Sequence, residues 1–273
     1  MQIKEFLERR RKPNVLTKHE VYAGPRKKYA LLYTAHNNLA EMALSIACFN
    51  RSEYLKTTFD IIITCNGTDA NKEAFLALSR EFESSRVVVY FDSENMGHHW
   101  MGAPEQICNC YEGLIGYDFI VHLHPDVYII NDTGLSDFAK AFENVSLESR
   151  SDFYVFFLPN RVNQPAFDAW IMVPRPENNI FEHWDTVFTD PPMRYQPSHG
   201  PSPHPHAECW FGDSLIKNNK SVGLFDRSPS AGMHQELEPN SGLLNSNSVP
   251  MGWSYFHDHT NQGLNKGENN GKS

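Results

Sequence analysis

At 273 residues the chain is long enough to bury a large core as one generous domain or two small ones. Its 40% hydrophobic and 12% aromatic content is globular, and 24 Lys and Arg against 33 Asp and Glu leave a net charge of −9. That balance excludes a nucleic-acid surface as the main business of the fold. No apolar run reaches the length of a membrane span, and the first residues lack the apolar core of a cleavable signal, so neither a transmembrane segment nor a secretory leader is expected.

Residues 1–28 form a basic lead with nine Lys or Arg (Lys4, Arg9, Arg10, Arg11, Lys12, Lys18, Arg26, Lys27 and Lys28) against three Glu. Such a stretch reads as a solvated amphipathic helix, with weak contact to an anionic membrane surface as the other use of the charge. Residues 29–34 (YALLYT) form a first strand that ends in the polar turn 35–38. Residues 39–57 carry a helical stripe (Leu39, Met42, Ala43, Ile46, Ala47, Tyr54, Leu55) broken near Asn50. Residues 60–65 (DIIITC) are a second strand, 71–82 a second amphipathic helix, and 86–91 (RVVVYF) a third strand. A polar loop over 92–102 leads to a third helix at 104–115, where Pro104 suits a first turn.

The stretch 117–130 (YDFIVHLHPDVYII) is the element around which the rest is arranged. Its apolar run over 119–123 reads as a central strand buried on both faces, and Pro125 ends the ladder. Asp126 is costly to bury without a partner, so it belongs just outside the sheet, where open α/β sheets bind ligands. Strand-helix units repeated three times before this strand predict an α/β fold with a Rossmann-type, largely parallel central sheet flanked by helices.

The second half is less regular. A helix is expected over 135–142, strands over 153–158 and 169–173, a helix over 208–217, a short apolar strand over 222–225 and a strand-like end over 252–259. Six prolines between 190 and 206 preclude regular structure there, and the polar tail 260–273 reads as disordered. Cys48, Cys65, Cys108, Cys110 and Cys209 show no metal-type spacing. The apolar surroundings of Cys48 and Cys65 suggest reduced core thiols and a cytoplasmic location. The N-x-S/T matches at Asn50, Asn66, Asn131, Asn144 and Asn219 are then chance occurrences.

The order of these features resembles the glycosyltransferase A fold, and most closely its family-2-like enzymes that use nucleotide-sugar donors. The resemblance runs over 29–259 as one domain, with 29–133 as the nucleotide-binding half and 134–259 as the acceptor half. It rests on short motifs. The end of the first strand, Thr34, Ala35 and His36, would lie against the nucleotide. Asn66-Gly67-Thr68-Asp69 resembles the D-x-G-S-x-D turn, with Asn66 where a base-contacting carboxylate is usual. Asn95-Met96-Gly97 resembles the N-x-G loop along the donor, which implicates Asn95 and Gly97.

His124-Pro125-Asp126 stands where the D-x-D motif would be, with histidine in place of its first acid. The resemblance implies Mn²⁺ or Mg²⁺ held by Asp126 and by a histidine near the end of the domain, His259 or His257, with His124 on the donor side. Glu208 matches the general base that would deprotonate a carbohydrate or other hydroxyl acceptor in an inverting transfer, and Asp213 is the fallback. A helix N-terminal acid favoured by the macrodipole explains Glu208 equally. Trp210, beside it, is the tryptophan expected to stack on a sugar. Two other readings stay open. His122-x-His124-x-Asp126 resembles part of the zinc motif of metallo-β-lactamase-type hydrolases. A non-catalytic, carbohydrate-binding relative would have kept the fold and lost the D-x-D.

Overall fold

A computed structural model describes residues 16–36, 38–92, 102–157, 165–183, 207–224 and 255–257. The four apolar runs of the first half become β2 (Tyr29–Ala35), β3 (Phe59–Asn66), β4 (Arg86–Asp92) and β5 (Phe119–Leu123), which are buried throughout except at Arg86. They lie parallel in the order β4-β3-β2-β5, as strands covered on both faces do.

The connections are helical. α1 (Leu39–Asn50) and α2 (Glu53–Thr58) join β2 to β3, and the break between them falls where Ser52 caps α2 by accepting from Leu55 N. α3 (Asp69–Ser79) joins β3 to β4, and α4 (Gly102–Leu114) precedes β5. Strand residues alternate between two cores. Tyr29, Leu31 and Tyr33 face Ile46, Phe49 and Phe75 on one side, while Ala30, Leu32 and Ile120 face Ile107, Tyr111 and Leu114 of α4 on the other.

Three strands extend the sheet beyond β5. β8 (Pro165–Met172) runs antiparallel to β5, β7 (Phe153–Phe157) antiparallel to β8, and β9 (Val222–Leu224) parallel to β7. The sheet is therefore mixed, which corrects the expectation of a largely parallel one. Residues 158–164 are too few for a crossover, so β8 has to return antiparallel beside β7. At the other edge Leu16–Ala23 forms β1, antiparallel to β4. This corrects the reading of the basic lead as a helix over those residues. Lys18, Glu20 and a register shift between Glu20 and Tyr22 are devices of an edge strand that is half exposed.

After β5 the chain turns through 124–126 into β6 (Val127–Ile129), then into α5 (Thr133–Asn144). β6 pairs antiparallel with β10 (Tyr255–His257) in a separate two-stranded sheet. The 3₁₀ turns Leu147–Ser149, Pro176–Asn178 and Ile180–His183, and the helix α6 (Ala207–Lys217), complete the described residues. The expected strand over 169–173 begins earlier, at Pro165. The proline-rich segment and the tail 260–273 lie outside the described residues.

The strand order fixes the site. From β2 the chain goes to β3 and β4 on one side and returns to β5 on the other. The direction of winding thus reverses between β2 and β5, and the carboxyl ends of strands at such a reversal are where open α/β sheets bind ligands.

Candidate functional site

The carboxyl ends of β2, β3, β4 and β5 replace the apolar alternation with polar side chains. On β2 and β5, Thr34 Oγ1 and His122 Nε2 are 3.0 Å apart and buried. His122 is an imidazole in a core position, fully buried, with its ring stacked on Trp170 at 4.5 Å and 19°. On β3, Asn66 is 1% exposed and its Oδ1 lies 2.5 Å from Nδ1 of the half-buried His36. Since Oδ1 is an acceptor, the His36 Nδ1 carries the proton in this bond. Thr34, Ala35, His36 and Asn66 thus lie together at the carboxyl ends of two adjacent strands. Gly67 comes next in a conformation with φ of +139° that only glycine adopts readily, and its N–H donates to Asp92 O at 3.2 Å. Asn95 and Gly97 lie outside the described residues.

The turn after β5 is held from two sides. Val127 N donates to His124 O at 3.0 Å, and Ser45 Oγ of α1 donates to Pro125 O at 2.8 Å. Asp126 is 7% exposed beside this turn. The His124 ring packs edge-on to His122 at 5.2 Å and to Phe167 at 5.8 Å. The β10–β6 register sets His257 opposite Val127, the residue after Asp126. His259 lies outside the described residues. Among the described residues no group of three His, Cys, Asp or Glu gathers as a metal centre. His122, His124 and Asp126 therefore do not converge as the zinc-hydrolase motif would need.

α6 is placed by its connection to β9. Four residues separate Lys217 from Val222, and β9 starts level with the start of β7, at Phe153. The helix therefore ends at the amino edge of the sheet and begins toward the carboxyl edge. Glu208 is in its first turn. Asp213 is half-buried and five positions on, more than a full turn further from that edge. Trp210 does not stand free for a sugar: it is fully buried and packs on Phe181 at 5.7 Å.

Two residues were not anticipated. Asp92 closes β4 in register with Asn66, is 2% exposed, and accepts from Asn109 Nδ2 at 3.4 Å. Its signal, an acid ending an apolar run, is the one that marked Asp126. Gln106 of α4 is 4% exposed; its Nε2 donates to Ala35 O at 3.2 Å, and its Oε1 is buried with no hydrogen-bond partner among the described residues. A polar residue inside a helix has no sequence signature of this kind. The thiol at this edge is inert, because burial pushes Cys65 up to about 12.

No protein-family model and no curated protein matches the sequence. Solved structures match by fold. Mouse xyloside xylosyltransferase 1, in its apo form, is similar at 11% identity over 85% of this chain and 98% of its own, with a TM-score of 0.51. The galactosyltransferase LgtC, solved with donor and acceptor sugar analogues, is similar at 11% identity over 84% of this chain and 87% of its own, with a TM-score of 0.50. At such identity the likeness is one of architecture: the chain has a glycosyltransferase A-type fold.

Proposed function

We propose that this chain is a glycosyltransferase that moves a sugar from a UDP- or GDP-linked donor to a carbohydrate or other hydroxyl acceptor, with inversion. The observation that carries the reading is the reversal of winding between β2 and β5 in a glycosyltransferase A-type fold, with Thr34, His36 and Asn66 at the carboxyl ends of β2 and β3 and Asp126 in the turn after β5. Helices α1 and α3 begin at this same edge, and their N-termini favour a diphosphate. Gln106 Oε1, buried without a hydrogen-bond partner among the described residues, is a further acceptor near that edge.

The residues suit a divalent ion. Asp126 is a hard carboxylate, and the β10–β6 pairing brings His257 to the neighbouring register position. Asp126 with His259 or His257 would hold Mn²⁺ or Mg²⁺, which when bound neutralises the leaving diphosphate. In this reading Thr34, Ala35, His36, Asn66, Asn95 and Gly97 would contact the nucleoside side of the donor, and His124 would shape the donor-side turn. Glu208 takes the acceptor's hydroxyl proton while the acceptor oxygen bonds to the anomeric carbon. The bond from that carbon to the diphosphate oxygen breaks, and the nucleoside diphosphate leaves. Asp213, further along α6, is the less favoured base. The buried thiols suit a cytoplasmic setting.

Calorimetric titration of UDP and of GDP, with and without Mn²⁺, tests the donor site. One of the two is expected to bind, more tightly with Mn²⁺, and to lose that gain in Asp126→Ala. Absence of binding by both to the folded protein would remove the reading. The anomeric configuration of the product, read by NMR, tests inversion; a retained configuration would take the role of simple base from Glu208.

A further inference from the structure

Inward from the carboxyl edge of the sheet lies a run of rings of which the proposed transfer uses only His124. It starts at His124, in the turn that carries Asp126, and passes to His122 at 5.2 Å. From there it passes to Trp170 of β8, stacked at 4.5 Å and 19°, and then to Phe211 of α6, stacked at 5.3 Å and 30°. Phe211 lies less than one helical turn after Glu208. Phe167 touches His122, His124 and Phe211 from the side at 5.4, 5.8 and 5.5 Å. His122, Trp170 and Phe211 are fully buried.

Close-packed rings transmit position because cores are bistable rather than compressible. Each ring here is also constrained in orientation. His122 is held at its edge by Thr34 Oγ1 at 3.0 Å as well as by the Trp170 face. A histidine inside the apolar run of β5 would be an expensive way to fill space, since a leucine or phenylalanine fills it without a polar edge to satisfy. Its placement is accounted for if the ring must both stack on Trp170 and bond to the end of β2.

We propose that the His124–His122–Trp170–Phe211 stack is a spacer that sets the separation between the donor-side turn bearing Asp126 and the helix start bearing Glu208. His122, Trp170 and Phe211 are then positioning residues, acting on the transfer step and not on nucleotide affinity. The inference rests on the glycosyltransferase reading above. Remote packing of this kind affects rate steeply, because a displacement of about 1 Å between reacting groups can cost on the order of 10²-fold.

The test uses the full chain and variants Trp170→Leu and Trp170→Phe, with near-ultraviolet circular dichroism to give the folded fraction. Binding of UDP and GDP in the presence of Mn²⁺ is measured by calorimetry. Release of nucleoside diphosphate from a panel of UDP- and GDP-hexoses, with water as acceptor, gives kcat and KM. Per folded molecule, Trp170→Leu is expected to lower kcat at least about tenfold while Kd and KM stay within about twofold. Trp170→Phe, which keeps a ring in the stack, should recover most of the rate. A kcat equal to wild type in Trp170→Leu would overturn the spacer, as would a fall in kcat matched by a fall in nucleotide affinity. Wild-type protein that binds neither nucleotide, or that binds one and releases nothing from any donor, would instead overturn the glycosyltransferase reading and the spacer with it.

Discussion

Thr34 and His122 show how one pair of side chains can join strand pairing to the site. They sit on neighbouring parallel strands, two residues out of register, and both face the side of the sheet covered by α4 and α6. A buried imidazole is tolerated only with a partner for its polar edge, and Thr34 Oγ1 at 3.0 Å supplies one. Thr34→Val keeps the volume and deletes this oxygen. Urea denaturation should register a loss of about 1–3 kcal/mol, the cost of leaving a buried polar group without that bond. In a His122→Phe background the same substitution should cost little, because there is no imidazole edge left to satisfy. Equal losses in the two backgrounds would mean that the threonine acts through something other than His122.

The elements divide by how their residues meet water. β2 to β5 were legible because each is an apolar run buried on both faces. The α1–α2 break was legible because the stripe fails at Asn50, and Ser52 can cap a new helix. β1 was not, because an edge strand carrying Lys18 and Glu20 reads like the charged lead around it. β6 and β10 are three residues each, and their pairing joins segments far apart in the chain, so no local period announces it. Strand direction is likewise not local: 153–157 and 165–172 look alike as apolar runs, and only the short link between them implies an antiparallel return. At the site, Asp126 stood out as an acid closing an apolar run. Asp92 carries the same signal but matched no motif of the resembled family. Trp210 follows the helical period of α6 and not its proximity to Glu208 in the sequence. Trp210, Phe211, Ser214 and Leu215 form one buried face, and a side chain on that face belongs to the core.

Taken across the whole molecule, the sheet has polar side chains at its carboxyl edge and a clamp at its amino edge. At the amino end of β3, Asp60 is fully buried and accepts from Lys27 N at 3.1 Å and Tyr117 Oη at 2.9 Å, with Arg86 Nε at 3.7 Å. Arg26 lies over the Tyr117 ring at 3.8 Å and donates to Ile115 O at 2.8 Å, which ties the end of α4 to the same cluster. Burial nevertheless raises the Asp60 carboxyl above its ordinary 3.8, outweighing these bonds, and Oδ1 has no hydrogen-bond partner among the described residues. Burial and the nearby carboxylate also push Tyr117 up to about 12. As pH rises past 3.8 the unfolded chain ionises at Asp60 before the folded one does. The folded state then holds more protons, and stability is lost until pH passes the raised folded value. Asp60→Asn cannot titrate, so the melting temperature of wild type minus that of the variant should fall as pH rises from below 4 to neutrality. A difference that stays level would separate Asp60 from the pH dependence of stability. One that grows in favour of wild type would mean that Lys27 and Arg86 outweigh burial, so that the charged form of Asp60 is what holds the amino edge together.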